Sequence, residues 1–433
     1  MPRGSADRNL GLVAPQTSHC GVVVVGQALQ PASPPPPCTT RLDERLTSPT
    51  SLSAEPLRIP LLEDLPPVAG KRVLVRVDFN VPLETGNDGE RAVSDDFRIR
   101  AALPTLNWLA ERGAEVSACT HLGRPGGKAD PKFDVSPIRE VLSTLVPEVS
   151  LMENLRFNPG EEANDPAFLE ELISGFDMYV NDAFGVCHRN HASVVGPPTR
   201  LPSAAGRLVE KEVEVLGHLI AEPKSPFVVI LGGAKVSDKL GLVRSLAAHA
   251  DKVLMGGGMA CTFMAAAGIR VGASLMDIAH EDECRSILSE YPGKIVLPVD
   301  SVVLLGSDSV EVVEGSIPIA GKILDIGPET CEIFDREIKD AETIFWNGPM
   351  GMFEDDRFSS GTYSVARSLA QCEGFTVVGG GDSAAALDSA GLSGIIGFLS
   401  TGGGAALQLL ENGDLPGLVA LRQSMMRYLE GNS

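Results

Sequence analysis

From Lys71 onward, short apolar runs alternate with longer amphipathic stretches, and nearly every run stops at Gly or a polar cluster. Strands covered on both faces read as continuous apolar runs, and their alternation with helical stretches is the βαβα signature of parallel sheets. The runs predict strands over residues 72–77, 115–120, 178–180, 227–231, 252–255, 294–299, 343–346, 375–378 and 395–399. Residues 204–221 carry Leu208, Val209, Val213, Leu216 and Leu219 at helical spacing and predict one long helix between two sets of strands. The expected fold class is α/β, with two doubly wound parallel-sheet domains joined by a long helix and hinge.

Length supports two domains, since 433 residues is roughly three times a typical ~150-residue domain. Residues 1–55, with the run Pro34-Pro35-Pro36-Pro37 and a Ser/Thr/Pro mix, lack either periodicity and are expected to be a disordered extension. A genuine tail, an upstream start and a targeting peptide all stay open for it. An N-terminal domain is expected over 56–203, the connecting helix over 204–221 and a C-terminal domain over 222–404.

Four runs in the second half end in glycine clusters: Gly232-Gly233, Gly256-Gly257-Gly258, Gly379-Gly380-Gly381 and Gly402-Gly403-Gly404. Glycine lets backbone approach a ligand, and a following helix N-terminus offers free N–H groups and about half a positive charge. Together they point to a phosphate-bearing ligand at the carboxyl edge of a sheet, against tight strand-to-helix turns taken singly. Lys235 and Lys239 lie four apart, which predicts two ammonium groups on one face of a helix's first turns, bridged by a polyphosphate or simply solvated. Asp382, directly after the third cluster, is placed either to hold a divalent cation or to cap a helix.

The first half instead ends its runs with cations and amides: Asp78-Phe79-Asn80, His121-Leu122-Gly123-Arg124, and further Arg98, Arg156 and Arg189. Arg recognises phosphate and carboxylate with two parallel hydrogen bonds, so these residues suggest a pocket for a small, multiply anionic substrate. Pairing of each Arg with a nearby carboxylate is the alternative. The whole chain carries a formal charge of −21, which argues against nucleic acid or an anionic membrane as partner. No apolar run approaches the ~18 to 20 residues that span a bilayer, and the eight scattered cysteines form no C-x-x-C pair, so a cytoplasmic protein without a disulfide framework or zinc site is expected.

In consistent order, Arg76-Val77-Asp78-Phe79-Asn80-Val81-Pro82, His121-Leu122-Gly123-Arg124-Pro125, Glu153-Asn154-Leu155-Arg156-Phe157, Asn181-Asp182-Ala183-Phe184-Gly185, Leu231-Gly232-Gly233-Ala234-Lys235-Val236, Trp346-Asn347-Gly348-Pro349-Met350-Gly351, Gly379-Gly380-Gly381-Asp382 and Ser400-Thr401-Gly402-Gly403-Gly404 resemble the phosphoglycerate kinase family. The resemblance spans about three quarters of the chain. It implies reversible transfer of the acyl phosphate of 1,3-bisphosphoglycerate to Mg-ADP, giving 3-phosphoglycerate and ATP, by a monomer that closes about its hinge. Asp78 and Asn80 are then expected on the glycerate oxygens, beside Phe79, Leu122 and Gly123, with Arg98, His121, Arg124, Arg156 and Arg189 on the substrate phosphate and carboxylate. Lys235 is expected on the phosphoryl group in flight, with Arg98 and Lys239 also catalytic, Lys239 on the nucleotide phosphates, Glu354 on the ribose, and Gly257 and Gly258 beside the adenine. Gly380, Gly381, Asp382 and Ser383 complete the nucleotide site, with Asp382 on Mg²⁺, and residues 405–433 are expected to return to the first domain.

Departures from the family pattern are Ser383 for Thr, Ile323 for Gly, Cys187 for Ala, Ala406 for Ser and Gln408 for Glu. A catalytically inactive scaffold of the same fold is one rival. A nicotinamide dehydrogenase is another, although it would require G-x-G-x-x-G after an early strand, which is absent.

Overall fold

A computed structural model describes residues 58–86, 89–392 and 394–431. The expected extension over 1–55 lies outside the described residues. Five parallel strands form the first sheet in the spatial order Ser150–Leu151, Glu115–Cys119, Arg72–Arg76, Met178–Asn181, Ser203–Ala205. Six parallel strands form the second, in the order Ile295–Val296, Lys252–Met255, Phe227–Leu231, Thr343–Asn347, Phe375–Gly379, Phe398–Leu399. In each sheet the chain starts in the interior, winds one way for two strands, then returns past its start and winds the other way. The reversal opens a crevice at the carboxyl ends of two neighbouring strands, and a doubly wound sheet binds its ligands there. The two crevices lie beyond Arg76 and Asn181, and beyond Leu231 and Asn347.

Strand alternation sorts the core. Val73 and Val75 pack on one face of the first sheet with Ile99, Leu106 and Leu142, while Leu74 turns to the other face. Phe227, Val229 and Leu231 share Leu74's cluster, and Val228 and Ile230 join Phe334, Ile344 and Trp346 on the far face of the second sheet. The shared cluster runs through Val209, Val213, Leu216 and Leu219 of the connecting helix, so one continuous core spans both sheets.

That helix covers Arg207–Ala221, starting later than its periodicity predicts, because Ser203–Ala205 pairs with Met178–Asn181 as an edge strand. Its first-turn N–H groups have no partner within the helix and are met by side chains of the first domain. Asp182 Oδ1 accepts from Leu208 N at 2.9 Å and Thr105 Oγ1 accepts from Arg207 N at 2.7 Å. Glu212, on the same helix, accepts from Ser400 Oγ (2.7 Å), Thr401 N (2.7 Å) and Thr401 Oγ1 (2.8 Å), tying the helix to the loop after the last strand of the second sheet. The helix Gly404–Asn412 follows, and Pro416–Gly431 packs beside the first sheet's edge, with Ser424 Oγ donating to the Leu201 carbonyl at 3.0 Å.

Several strands differ from expectation. The run at 294–299 shortens to Ile295–Val296, since Pro298 has no N–H to give a ladder. An antiparallel sheet of Asp300–Leu305, Ser309–Glu314 and Gly321–Ile326, and a hairpin of Leu83–Thr85 with Arg91–Val93, were not predicted at all. Ser309–Glu314 is largely exposed and the hairpin strands hold no buried residue, so they lack the buried runs used to find the others, while Asp300–Leu305 and Gly321–Ile326 are only partly buried. Among the described residues, no helix is long and apolar enough to cross a membrane, and the six cysteines are free and at least half-buried.

Burial pushes the Glu212 carboxyl up from 4.5 to about 7, against the pull of its Ser400, Thr401 and Gly402 donors. A carboxyl whose folded value lies above its unfolded one contributes stability at low pH and loses it as pH rises through 4.5 to 7. Glu212→Gln is neutral at every pH. It should remove from the stability-pH profile a decline of up to about 3 kcal/mol across that window, leaving the similar decline from Asp182, also pushed up to about 7 by burial. Urea unfolding at a series of pH values measures this, and an unchanged slope in the variant would contradict it.

Candidate active site

The first crevice gathers cations around Asp78. Arg98 donates to the Asp78 carboxylate at 2.5 Å, and Asn80 N lies 3.3 Å from its other oxygen. Asn80 Oδ1 accepts from Gly123 N at 2.9 Å and Thr120 Oγ1 accepts from Phe79 N at 2.9 Å, which stitches the two strand-end loops together and seats the buried Leu122. Asn154 locks the third loop to them, its Nδ2 donating to the Leu122 carbonyl at 2.8 Å. Arg156 follows, buried, with Nη1 donating to the Gly123 carbonyl at 2.7 Å; its Nε sits 3.0 Å from Glu162 but out of line for a hydrogen bond.

Burial and then the charges of Arg76, Arg156, Arg189 and Arg98 hold His121 well below the usual imidazole range. Burial and then Arg189 lower His188, whose half-buried ring also feels Asp78. Arg124 stands apart: it is exposed at the rim and has no partner among the described residues. The structure thus brings Asp78, Arg98, His121, Arg156 and Arg189 together and leaves Arg124 outside their network.

Buried donors without partners are rare in folded proteins and call for an explanation. Of nine buried side-chain N or O atoms without a hydrogen bond among the described residues, five lie in this cluster: Arg156 Nε and Nη2, Arg189 Nε, His188 Nδ1 and His191 Nδ1. An anion with several oxygens supplies what the Arg156 and Arg189 guanidiniums lack.

In the second sheet's crevice, backbone closeness replaces charge. Gly257 has φ +63, and a Cβ there would sit 2.7 Å from Gly233 N; one on Gly258 would sit 2.8 Å from the Ala234 carbonyl oxygen. Gly380, at φ +95, precedes the helix Gly381–Ser389, whose first turn holds Asp382. Ser383 Oγ accepts from Gly348 N at 2.7 Å, so this hydroxyl fixes the neighbouring strand-end loop.

The spacing argument for Lys235 and Lys239 fails. The helix begins only at Leu240, and both lysines belong to the irregular loop opened by Gly233 at φ +107, so they do not share a helix face. Burial of Val236 holds the loop down. Lys239 Nζ turns back to donate to the Gly232 carbonyl at 2.7 Å, while Lys235 is exposed without a partner among the described residues. Burial pushes Lys239 down to about 8, with Asp382 and then Asp238 pulling the other way. Glu354 is exposed on the loop that Met352 N anchors to the Leu324 carbonyl at 2.8 Å. Ile323 is half-buried against Cys261, Met264 and Val271, with its N–H donating to Ser274 Oγ at 2.8 Å.

Residues missed as site components are Arg76, Glu161, Ser193, His188 and His191. Arg76 had a signal, a lone charge ending the apolar run Val73-Leu74-Val75; Glu161 and Ser193 had none, because only the fold brings them to it.

The carboxyl ends of both sheets meet at the hinge. Gly402 lies against the buried Phe184 ring, and a Cβ on Gly185 would sit 2.6 Å from Asp78 Oδ2 and 3.6 Å from the Thr401 carbonyl oxygen. A cationic crevice and a glycine-lined, lysine-bearing crevice, joined at one hinge, define a two-domain α/β phosphate-handling enzyme. The phosphoglycerate kinase family model matches residues 62–150 and 146–413. Phosphoglycerate kinase of Rubrobacter xylanophilus is 48% identical over 350 residues, covering 75% of this chain and 88% of that relative. That of Salinispora arenicola is 47% identical over 374 residues, covering 78% and 92%. Solved structures of phosphoglycerate kinase from Coxiella burnetii and Pyrococcus horikoshii OT3 match with TM-scores of 0.77 and 0.72 at 34% and 32% identity, each over 84% of this chain and 99% of that one. The chain belongs to the phosphoglycerate kinase family.

Since the Asp382 carboxylate raises the Lys239 value, Asp382→Asn should move it further below about 8, read from the pH titration of the Lys239 ¹³Cε shift. A value that rises or stays fixed would deny their proximity. Gly257→Ala should lower stability by roughly 1–3 kcal/mol through left-handed strain and backbone collision, measured by thermal unfolding; a neutral result would mean the loops are not in contact.

Proposed function

We infer that this chain transfers a phosphoryl group reversibly between 1,3-bisphosphoglycerate and ADP, with the acid substrate in the first crevice and the nucleotide in the second. The observation that supports this assignment is the pair of guanidiniums, Arg156 and Arg189, with buried N–H donors left without a hydrogen bond beside the imidazoles of His188 and His191, which matches a small polyanion. Arg98, His121, Arg156 and Arg189 hold substrate phosphate and carboxylate, with Arg124 joining from the rim. Asp78 and Asn80 address the glycerate oxygens, in a floor shaped by Phe79, Leu122 and Gly123.

Nucleotide phosphates fit the loops that end in Gly380, Gly381 and Ser383, with Lys239 supplying charge from below. Gly257 and Gly258, which let their loop pack directly against the Gly233–Ala234 backbone, would form the wall beside the adenine, and Glu354 is exposed where a ribose hydroxyl can reach it. Asp382 fits a Mg²⁺ site: its carboxylate is exposed, has no ion pair among the described residues, and sits beside Lys239. Among the described residues no group of three or more His, Cys, Asp or Glu could hold a metal, so Mg²⁺ would be shared between Asp382 and phosphate oxygens, where it neutralises phosphate charge.

In the ATP-consuming direction the nucleophile is a carboxylate, with a reference pKa of about 3.5 to 4, so no general base is needed. The protein's task is to bring two polyanions into line and to neutralise charge on the transferring group, which Lys235 and Arg98 do. Closure about the Arg207–Ala221 helix would bring the crevices together and exclude the water that hydrolyses an acyl phosphate.

A coupled assay with ATP and 3-phosphoglycerate tests the assignment; absence of turnover would favour the inactive-scaffold alternative. Lys235→Ala should lower kcat at least ~100-fold, and near-normal turnover would remove Lys235 from the mechanism. Arg156→Ala should raise KM for 3-phosphoglycerate far more than KM for ATP, whereas equal effects would refute the division of substrates between crevices.

A further inference from the structure

An imidazole nitrogen facing a group that can only donate must accept, and this decides where the ring's proton sits. Arg76 is such a group. It ends the apolar strand Arg72–Arg76 fully buried, Nε donating to Ser193 Oγ at 2.8 Å, Nη1 to the Val77 carbonyl at 2.5 Å, and Nη2 lying 3.2 Å from His121 Nδ1. Glu161, also fully buried, offsets the charge: its Oε1 is 3.9 Å from Nη2, and it accepts from Ser193 N (2.9 Å) and Ser193 Oγ (2.6 Å). The Asp78 carboxylate, which would favour a proton on His121 Nδ1, is 3.9 Å away and occupied by Arg98 at 2.5 Å.

We propose that Arg76 is a positioning residue that holds His121 as a neutral imidazole protonated on Nε2, so that the ring meets the anionic substrate as an uncharged donor of fixed direction. The proposal rests on the reading that His121 contacts the acid substrate. Every cation facing the ring acts the same way: after burial, Arg76, Arg156, Arg189 and Arg98 all oppose its protonation, against the carboxylate of Asp78. Glu161 faces Arg76 and His191 rather than the ring's Nδ1. Ligand binding then needs no proton uptake by His121.

Without Arg76, Asp78 is the nearest partner of Nδ1 and draws the proton to the wrong nitrogen. Acid would cure that defect, because an imidazolium carries a proton on both nitrogens.

Two-bond ¹H–¹⁵N spectra of the full chain should show His121 with an unprotonated Nδ1 and a protonated Nε2 across about pH 5 to 8. In Arg76→Met, or in Arg76→Met with Glu161→Gln to avoid stranding a buried charge, the ring should titrate within that window. KM for 3-phosphoglycerate should rise roughly tenfold at the alkaline end, and the ratio to the wild-type KM should fall toward the acid end, with kcat changed less. Taking the ratio cancels titration of the substrate's own phosphate. A protonated Nδ1 in the wild-type spectrum, or a KM ratio that is the same at every pH, overturns the proposal; the spectrum decides even where the variants do not fold. If His121→Ala leaves KM for 3-phosphoglycerate unchanged, the substrate contact is refuted, while the spectrum still tests the tautomer separately.

Discussion

Two buried carboxylates on either side of one helix turn decide how the two halves can cooperate. A parallel sheet puts its ligand-binding loops at a single edge, so two such sheets share chemistry only when those edges converge. Asp182 leaves the carboxyl end of a first-sheet strand and caps the connecting helix; Glu212, further along that helix, gathers the Ser400–Thr401 loop from the carboxyl end of the second. Each carboxylate sits where burial disfavours its charge; Asp182 takes its donors from Thr105 and the connecting helix, and Glu212 takes its donors from the second domain's Ser400–Gly402 loop. The departures Ala406 and Gln408 lie in the helix that follows this loop, with Ala406 buried at its base.

Around the first crevice the physical problem is repulsion. Arg76, Arg98, Arg156 and Arg189 act on the same histidine, and the structure contains the stress unequally. Asp78 takes Arg98, Glu161 offsets Arg76 in the interior, and Glu162 lies beside Arg156 without completing a hydrogen bond. Donors are thereby left over at the loop ends. Those on Arg156 sit on a loop already bonded to its two neighbours through Asn80, Thr120 and Asn154.

The second sheet has the strand order associated with dinucleotide-binding enzymes, yet it lacks their glycine fingerprint at its first turn. In place of that fingerprint stand the glycine-bearing strand-end loops Gly232–Lys239 and Gly379–Asp382, built around close backbone contact and a half-buried lysine. Fold order therefore leaves the dehydrogenase alternative formally available, and the loop chemistry together with family membership sets it aside.

The amino-acid pattern alone determined the α/β class, most central strands and the partition into a cationic and a glycine-lined half, because buried parallel strands and clustered strand-end glycines leave local signatures. Phe227–Leu231 and Lys252–Met255 were legible to the residue for that reason. Exposed strands such as Ser309–Glu314 carry no such mark, and the four-residue spacing of Lys235 and Lys239 misled because Gly233 and buried Val236 hold a loop where periodicity suggested a helix. Tertiary structure alone decided which cations are neutralised, that Arg124 stays at the rim, and that Glu161, Ser193 and Arg76 meet behind His121. Those contacts join residues 32 to 117 positions apart, and at such separations only packing, not local pattern, sets who faces whom.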